Sequence, residues 1–283
     1  CVELPEEDKT DDDRYADRVA LLRKSLYGTR DAALNFQKEI RTLMEGIGYE
    51  TGKYNVSTYH HSGRSLRTMV HGDDFATVGS AEDIRWLRKK LEDRFELKTT
   101  IIGSGSDEAT EGRILNRIVR CTDEGWEYEA DQRHAEYIVK ALNLQDAKPV
   151  STAGEEEKPW KQEEEAVKLD DGKSTEYRAL AARANYLAAD RMDIQYAVKE
   201  VCKAMSCPTV GDRRKLKRLA RYLLGKPRLV SRYDWQERPD ELTGFSDSDW
   251  AGCKRTSRST SGGVILSGGH LLKSWSSTQR SIT

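Results

Sequence analysis

Two adjacent acids, Asp73 and Asp74, stand between β-type runs at residues 66–70 and 75–78. Neighbouring carboxylates repel unless a cation offsets them. Mg²⁺ suits the task, being a hard ion that prefers carboxylate oxygens and keeps positions for substrate phosphates. Adjacent strand residues point to opposite faces, so one of the pair can bind a given ion well. The reading is Asp73 as ligand with Asp74 in support. Taken alone, the pair reads more simply as a polar Gly-Asp-Asp turn. A second acid pair, Asp247 and Asp249 in Ser-Asp-Ser-Asp, would share one face of a strand; a turn or cap is the alternative. The third feature is a basic helix at residues 212–221. Its Arg214, Lys217 and Arg218 are candidates for phosphate contacts, which supply sequence-independent affinity for nucleic acid. The alternative is a solvated face opposite the stripe of Leu216, Leu219, Ala220 and Leu223.

Other residue types argue against competing chemistries. His60 and His61 are adjacent rather than spaced by four. The five cysteines are odd in number, scattered and free of any C-x-x-C, against both a zinc site and a disulfide framework. Cys202 and Cys207 read as core packing. Trp86, Trp160 and Trp235 form no aromatic ladder of the kind that single-strand binders use.

These residues need elements to position them. Residues 1–13 are acid-rich and read as irregular. Helices are predicted at 31–45, where Ala33, Phe36, Ile40 and Leu43 recur at spacings of three and four, and at 81–95, capped by Ser80. Strands are predicted at 56–60, 66–70 and 75–78, with a hairpin turn at Ser62-Gly63-Arg64. Further strands are predicted at 113–121 and 126–129, then a helix at 131–142. The Glu- and Lys-rich stretch 151–173 reads as a linker. Beyond it come helices at 175–205 and 212–224, and strands at 242–247, 263–267 and 271–276.

The 283 residues carry 47 Lys and Arg against 48 Asp and Glu, a net charge of -1. Global charge therefore does not attract a polyanion, and nucleic-acid binding rests on local patches. No apolar run approaches the roughly 20 residues that span a bilayer. The acidic N-terminus does not read as a secretory signal. A reduced intracellular setting, cytoplasmic or nuclear, with no membrane partner, is expected. The first residue is Cys1, and both ends read as cuts from something longer.

Several blocks together resemble one family. L-L-R-K-S-L-Y-G at 21–28 resembles the L-x-K-S-L-Y-G block of copia-type retrotransposon reverse transcriptases. V-H-G-D-D at 70–74 resembles their Y-V-D-D turn, with His71-Gly72 in place of Tyr-Val. Y-R-A-L at 177–180, N-Y-L-A at 185–188 and R-M-D-I-Q-Y-A-V at 191–198 are similar to the segment between polymerase and RNase H, which L-K-R-L-A-R-Y-L at 216–223 continues. G-F-S-D-S-D-W-A-G at 244–252 is similar to the G-Y-S-D-A-D-W-A-G that opens the RNase H domain, and R-S-T-S-G-G and S-W-S-S follow in the family's order. One departure matters: after Gly28 the family's L-K-Q becomes Thr29-Arg30-Asp31, which places an acid where a glutamine helps seat the incoming nucleotide.

The resemblance implies an α+β chain. It would comprise an incomplete palm and thumb-like region (1–150), the charged linker (151–173), a helical connection (174–240) and the first strands of an RNase H fold (241–283). It implies an RNA-directed DNA polymerase with RNase H, using Mg²⁺ or Mn²⁺, with RNA/DNA template-primer and dNTPs as partners. Asp73, Asp74 and Asp247 would be catalytic carboxylates and Asp249 a further metal ligand. Another palm Asp and the RNase H Glu are expected outside residues 1–283, so the chain by itself is expected to be inactive. A non-catalytic nucleic-acid-binding remnant is the alternative. The sheet at 241–283, without a covering helix, is expected to be loosely ordered on its Val264, Leu266 and Leu272 face.

Overall fold

The computed structural model describes residues 2–16, 18–155, 166–253 and 256–281. Its contacts divide at Thr99/Thr100 into two units.

In the first unit, β1 (Val2–Glu3) precedes α1 (Asp11–Tyr15) and pairs antiparallel with β2 (Val19–Ala20). The reading of residues 1–13 as irregular is therefore corrected. Thr10 Oγ1 accepts from the Asp13 amide at 3.2 Å, and the Asp13 carboxylate accepts from the Thr10 amide at 3.1 Å. This is a reciprocal cap, and the acids Asp11–Asp13 suit the positive end of the helix. The apolar block that follows stays largely exposed, with Leu21 and Tyr27 facing solvent.

The rest of the unit is one sheet with helices on one face. After α2 (Ala32–Gly46) come β3 (Glu50–Thr51), β4 (Thr58–His61), β5 (Leu66–His71) and β6 (Asp74–Val78), then α3 (Ala81–Glu92). The strands lie in the order β3-β4-β5-β6, all antiparallel. Register decides the faces. Tyr59, Thr68 and Thr77 align across three strands, as do His61 with Leu66 and Val70 with Phe75. Their side belongs to the core with Ile40, Met44, Leu87 and Leu91. The alternate residues His60, Arg67, Met69, His71, Asp74 and Val78 are exposed, as expected of an antiparallel sheet with one packed face.

The second unit begins with β7 (Glu111–Ile114) and β8 (Arg117–Cys121). The single strand predicted at 113–121 is thus a hairpin. Its turn residues Leu115 and Asn116 take φ of 49° and 67°, the conformation of a two-residue mirror-image turn. Leu115 is a poor residue for that conformation, so the turn was hidden. Next come β9 (Gly125–Glu129), α4 (Arg133–Ala141), α5 (Asp171–Ala188), α6 (Gln195–Cys202) and α7 (Val210–Gly225). The long helix predicted at 175–205 is broken at 189–194, where a 3-10 turn, Met192–Ile194, intervenes. The helices bury Ile138, Leu180, Ile194, Val198, Leu219 and Leu223. Part of the predicted linker, 156–165, lies outside the described residues; α5 starts within its last residues.

Two sheets complete the unit. β10 (Val230–Asp234), which falls inside the supposed helical connection, pairs with β9 and gives the order β10-β9-β8-β7. β11 (Thr243–Ser248), β12 (Thr260–Ser267) and β13 (His270–Thr278) form an antiparallel meander. The expectation that this sheet lacks a helical cover is corrected in part, because α6 lies against it. Gln195 Nε2 donates to Ser274 O at 3.4 Å and Lys199 Nζ to Thr260 Oγ1 at 2.7 Å. Leu272 remains exposed. Cys202 is half-buried, but Cys207 is exposed, against its reading as core.

One buried carboxylate links the first sheet of this unit to its helices. Glu129, 1% exposed, accepts from Arg228 at 2.6 and 2.7 Å, from Arg120 at 2.9 Å and from the Gln132 amide. The Arg228 bonds do most to hold its pKa down, at about 2 against an ordinary 4.5. A depressed carboxylate stabilises the fold above its unfolded-state value, and the contribution is lost as pH falls through the folded value. The shift corresponds to about 3 kcal/mol. Thermal unfolding should therefore show a midpoint that falls between about pH 5 and pH 2. Glu129→Gln should flatten that fall and lower stability at neutral pH by a similar amount.

Candidate functional site

The β5–β6 hairpin closes with a two-residue turn, Gly72-Asp73. Gly72 has φ +64°, as a turn with glycine first requires. A Cβ there would meet nothing within 4 Å, so backbone conformation rather than space calls for glycine. Asp73 is therefore a turn residue and not a strand residue, while Asp74 pairs with His71 in the ladder. Strand alternation does not separate the two acids; the end of the ladder does. Asp74 lies on the solvent-facing row with Ala76 and Val78, and Asp73 projects from the tip. Both are exposed and have no hydrogen-bond or ion-pair partner among the described residues.

Two carboxylates are part of a divalent-cation site and not a whole one. Among the described residues no group of three His, Cys, Asp or Glu side chains is placed to hold a metal. Asp73 and Asp74 thus do not fit a two-ion centre by themselves.

The second acid pair divides in the same way. Asp247 lies on β11 opposite Gly262, exposed and without a partner among the described residues. Asp249 follows the strand, and its carboxylate accepts from the Thr260 amide at 2.8 Å and the Gly252 amide at 3.1 Å. The Thr260 bond is the main cause of a pKa below the ordinary carboxylate value. A Cβ at Gly252 would sit 2.4 Å from the Asp249 carboxylate, so the glycine is part of the same cap. Asp249 is engaged in the turn; Asp247 is open.

The basic helix is α7, and most of its cations are used within the unit. Arg218 donates to Gly154 O at 3.1 Å, to Glu155 at 3.1 Å and to Thr152 Oγ1 at 2.7 Å. Arg214 reaches Glu155 at 3.5 Å, Arg213 reaches Glu176 at 3.2 Å, and Arg221 donates to Lys148 O at 2.7 Å. Lys217 has no partner among the described residues. The structure does not bring Arg214, Lys217 and Arg218 together as an open row; it binds two of them to segment 152–155.

With this geometry in view, the relatives become informative. No family model matches the chain, and no solved structure matches it. Over 276 residues, 93% of its length, it is 29% identical to a retrovirus-related Pol polyprotein from transposon RE2 of Arabidopsis thaliana. Over 272 residues it is 30% identical to the corresponding polyprotein from transposon RE1 of the same plant. An uncharacterized mitochondrial protein of Arabidopsis thaliana is 33% identical over 148 residues, 52% of this chain and 59% of that protein. The chain is a relative of transposon Pol polyproteins. It spans 17% of the length of the two it matches. Among its described residues no helix is long and apolar enough to cross a membrane.

The residues that sequence reasoning missed in this Pol relative are buried and structural. Arg191, 1% exposed, forks onto Asp193 at 2.8 and 2.7 Å and donates to Lys226 O and Pro227 O at 3.0 and 3.2 Å. It thereby satisfies carbonyls just past the end of α7. Tyr222 donates to the same Asp193 at 2.9 Å. The R-x-D spacing in the block at 191–198 was the available signal.

These assignments separate acids and cations that hold structure from those that do not. Asp249→Ala should speed hydrogen exchange at the Gly252 and Thr260 amides, while Asp247→Asn should leave it unchanged. Changing Arg214, Lys217 and Arg218 together to Gln should open segment 148–155 to limited proteolysis. An unaltered digestion pattern would overturn the structural assignment of Arg218.

Proposed function

We propose that the chain is the reverse-transcriptase-to-RNase H portion of a copia-type retrotransposon Pol polyprotein. In this reading residues up to Thr99 carry part of the palm, and β11 to β13 open the RNase H domain. The chain then contributes to RNA-directed DNA synthesis on a template-primer with dNTPs. The observation that carries the reading is the Gly72-Asp73 turn. It sets two unpaired carboxylates at the end of a solvent-facing sheet whose other face is backed by α2 and α3, in a chain similar to Pol polyproteins over 93% of its length. Exposed carboxylates on a hairpin tip suit Mg²⁺ or Mn²⁺ as the ion class. Asp74 is held by the ladder and Asp73 by the turn, and together they supply negative charge to that point. Asp247 is the corresponding open acid of the RNase H portion.

A second reading, nucleic-acid binding without catalysis, is supported by the lack of a third metal donor among the described residues. Primer extension by the polyprotein that carries this chain decides between them. On a poly(rA) template with Mg²⁺ or Mn²⁺, Asp73→Asn should cut extension by about two orders of magnitude, the usual cost of removing one electrostatic group from a reacting centre. Asp74→Asn should reduce it less predictably. Wild-type rates in both variants would sink the polymerase reading. Template-primer binding without any extension by the unaltered polyprotein would establish the second.

A further inference from the structure

The seam between α4 and α5 carries a surface that the sequence motifs do not single out. His134 and Tyr137 stand three residues apart on α4, and Arg183 and Tyr186 stand three apart on α5, so each pair lies on one helix flank. The Arg183 guanidinium lies over the Tyr137 ring, 3.9 Å from its centroid. The Tyr186 ring packs on His134 at 4.6 Å, and Arg117 of β8 reaches it at 5.3 Å. Both tyrosines nonetheless stay open, Tyr137 50% and Tyr186 43% exposed.

Charge on this seam is unequally used. Asp190 holds Arg117 at 2.9 Å, and Asp131 holds Arg133 at 2.6 Å. Arg183 has no acidic partner among the described residues; only the ring beneath it fixes its position. Burial keeps the His134 pKa below its ordinary value against the pull of Asp131, and Arg183, Arg133 and Arg117 push it the same way as burial. The three guanidinium groups therefore share one patch, and the lowered pKa of His134 disfavours a further positive charge there. Tyr137 and Tyr186 are the only large apolar side chains exposed on α4 and α5. This surface offers ring faces on which a base can stack and, in Arg183, a guanidinium without an acidic partner among the described residues that can take a phosphate.

We propose that the α4–α5 seam, with Tyr137, Arg183 and Tyr186, is a binding platform for single-stranded nucleic acid. Bases stack on the exposed tyrosine faces, and Arg183 takes a backbone phosphate. Stacking on aromatic side chains is tolerant of sequence, and the arginine adds the salt-sensitive part. The choice of a nucleic acid as occupant rests on the Pol reading above.

Fluorescence anisotropy with a labelled oligothymidylate and the full chain tests the platform. The wild-type chain should bind it with an affinity that falls as salt rises. Arg183→Gln and Tyr137→Ala should each weaken binding about tenfold, and Tyr137→Phe should restore it. Thermal melting confirms that the variants fold; if Tyr137→Ala does not, Arg183→Gln, which leaves the buried core intact, carries the test. No binding by the wild-type chain, wild-type affinity in folded Arg183→Gln, or equal competition by polyglutamate would overturn the proposal. None of these residues belongs to the Asp73 hairpin, so the two readings fail separately. A polyprotein that extends primers while Arg183→Gln binds the strand normally loses the platform and keeps the polymerase reading. Binding that depends on Arg183, in a polyprotein that never extends a primer, does the reverse.

Discussion

The second unit depends on the burial of Glu129. A carboxylate removed from water costs several kcal/mol unless its oxygens are fully paired. Its partners come from three places in the chain: Arg120 on β8, Gln132 just before α4, and Arg228 between α7 and β10. The last of these is far away in sequence, so the carboxylate can be buried only when the chain has returned past all the helices. That return sets β10 beside β9, with Val230 opposite Glu129 itself. Arg191 applies the same constraint nearby, gripping Lys226 and Pro227 as α7 ends. Sheet and helices are thus tied by charges placed where the chain changes direction, and the segment 226–230 is fixed from both sides.

The same economy decides which charged residues are available for chemistry. On α7 the arginines look alike in sequence, yet Arg218 is committed three times to segment 152–155 while Lys217 next to it is not. Asp249 is committed to two backbone amides while Asp247 is not. Charge-assisted bonds to backbone are among the stronger ones a surface residue makes. A ligand would have to replace them before it gained anything from Asp249 or Arg218. Asp73, Asp74, Asp247 and Arg183 carry no such prior claim.

Much of the local structure was legible in the residues. The apolar spacing of Ile40, Leu43, Leu87 and Leu91 marked α2 and α3, and Ser80 caps α3 by accepting from the Asp83 amide at 3.2 Å. The hairpin around Asp73 was legible because Gly72 marks the turn. Features set by distant partners were not. β10 was placed inside the expected helical connection because its neighbour β9 is remote in sequence. The break before Met192 was hidden because the buried Arg191, and not a proline or glycine, anchors it. The boundary at Thr99/Thr100 falls well before the expected one near residue 150, since β7 to β9 pack with later helices; the Gly-Ser-Gly-Ser run at 103–106 was the available signal. At the candidate sites, residue types alone could nominate the acids but not show which were already engaged.

The two open acid sites are held in physically different ways. Asp247 lies inside a ladder: β11 pairs along its length with β12, and β12 is paired on its other side with β13. That central strand is tied to α6 through Lys199 and Thr260, and β13 through Gln195 and Ser274, helix positions four residues apart that fall on one face. The direction of Asp247 is therefore inherited from a layered packing of strand on strand on helix. Asp73 has no such support. It follows a glycine in a two-residue turn at the end of β5, which is paired on both sides, and β6, an edge strand. Its carboxylate is aimed by the turn's backbone alone, beside an Asp74 that the ladder holds. The two carboxylates at the hairpin tip are thus held unequally, Asp74 by strand pairing and Asp73 by the turn alone.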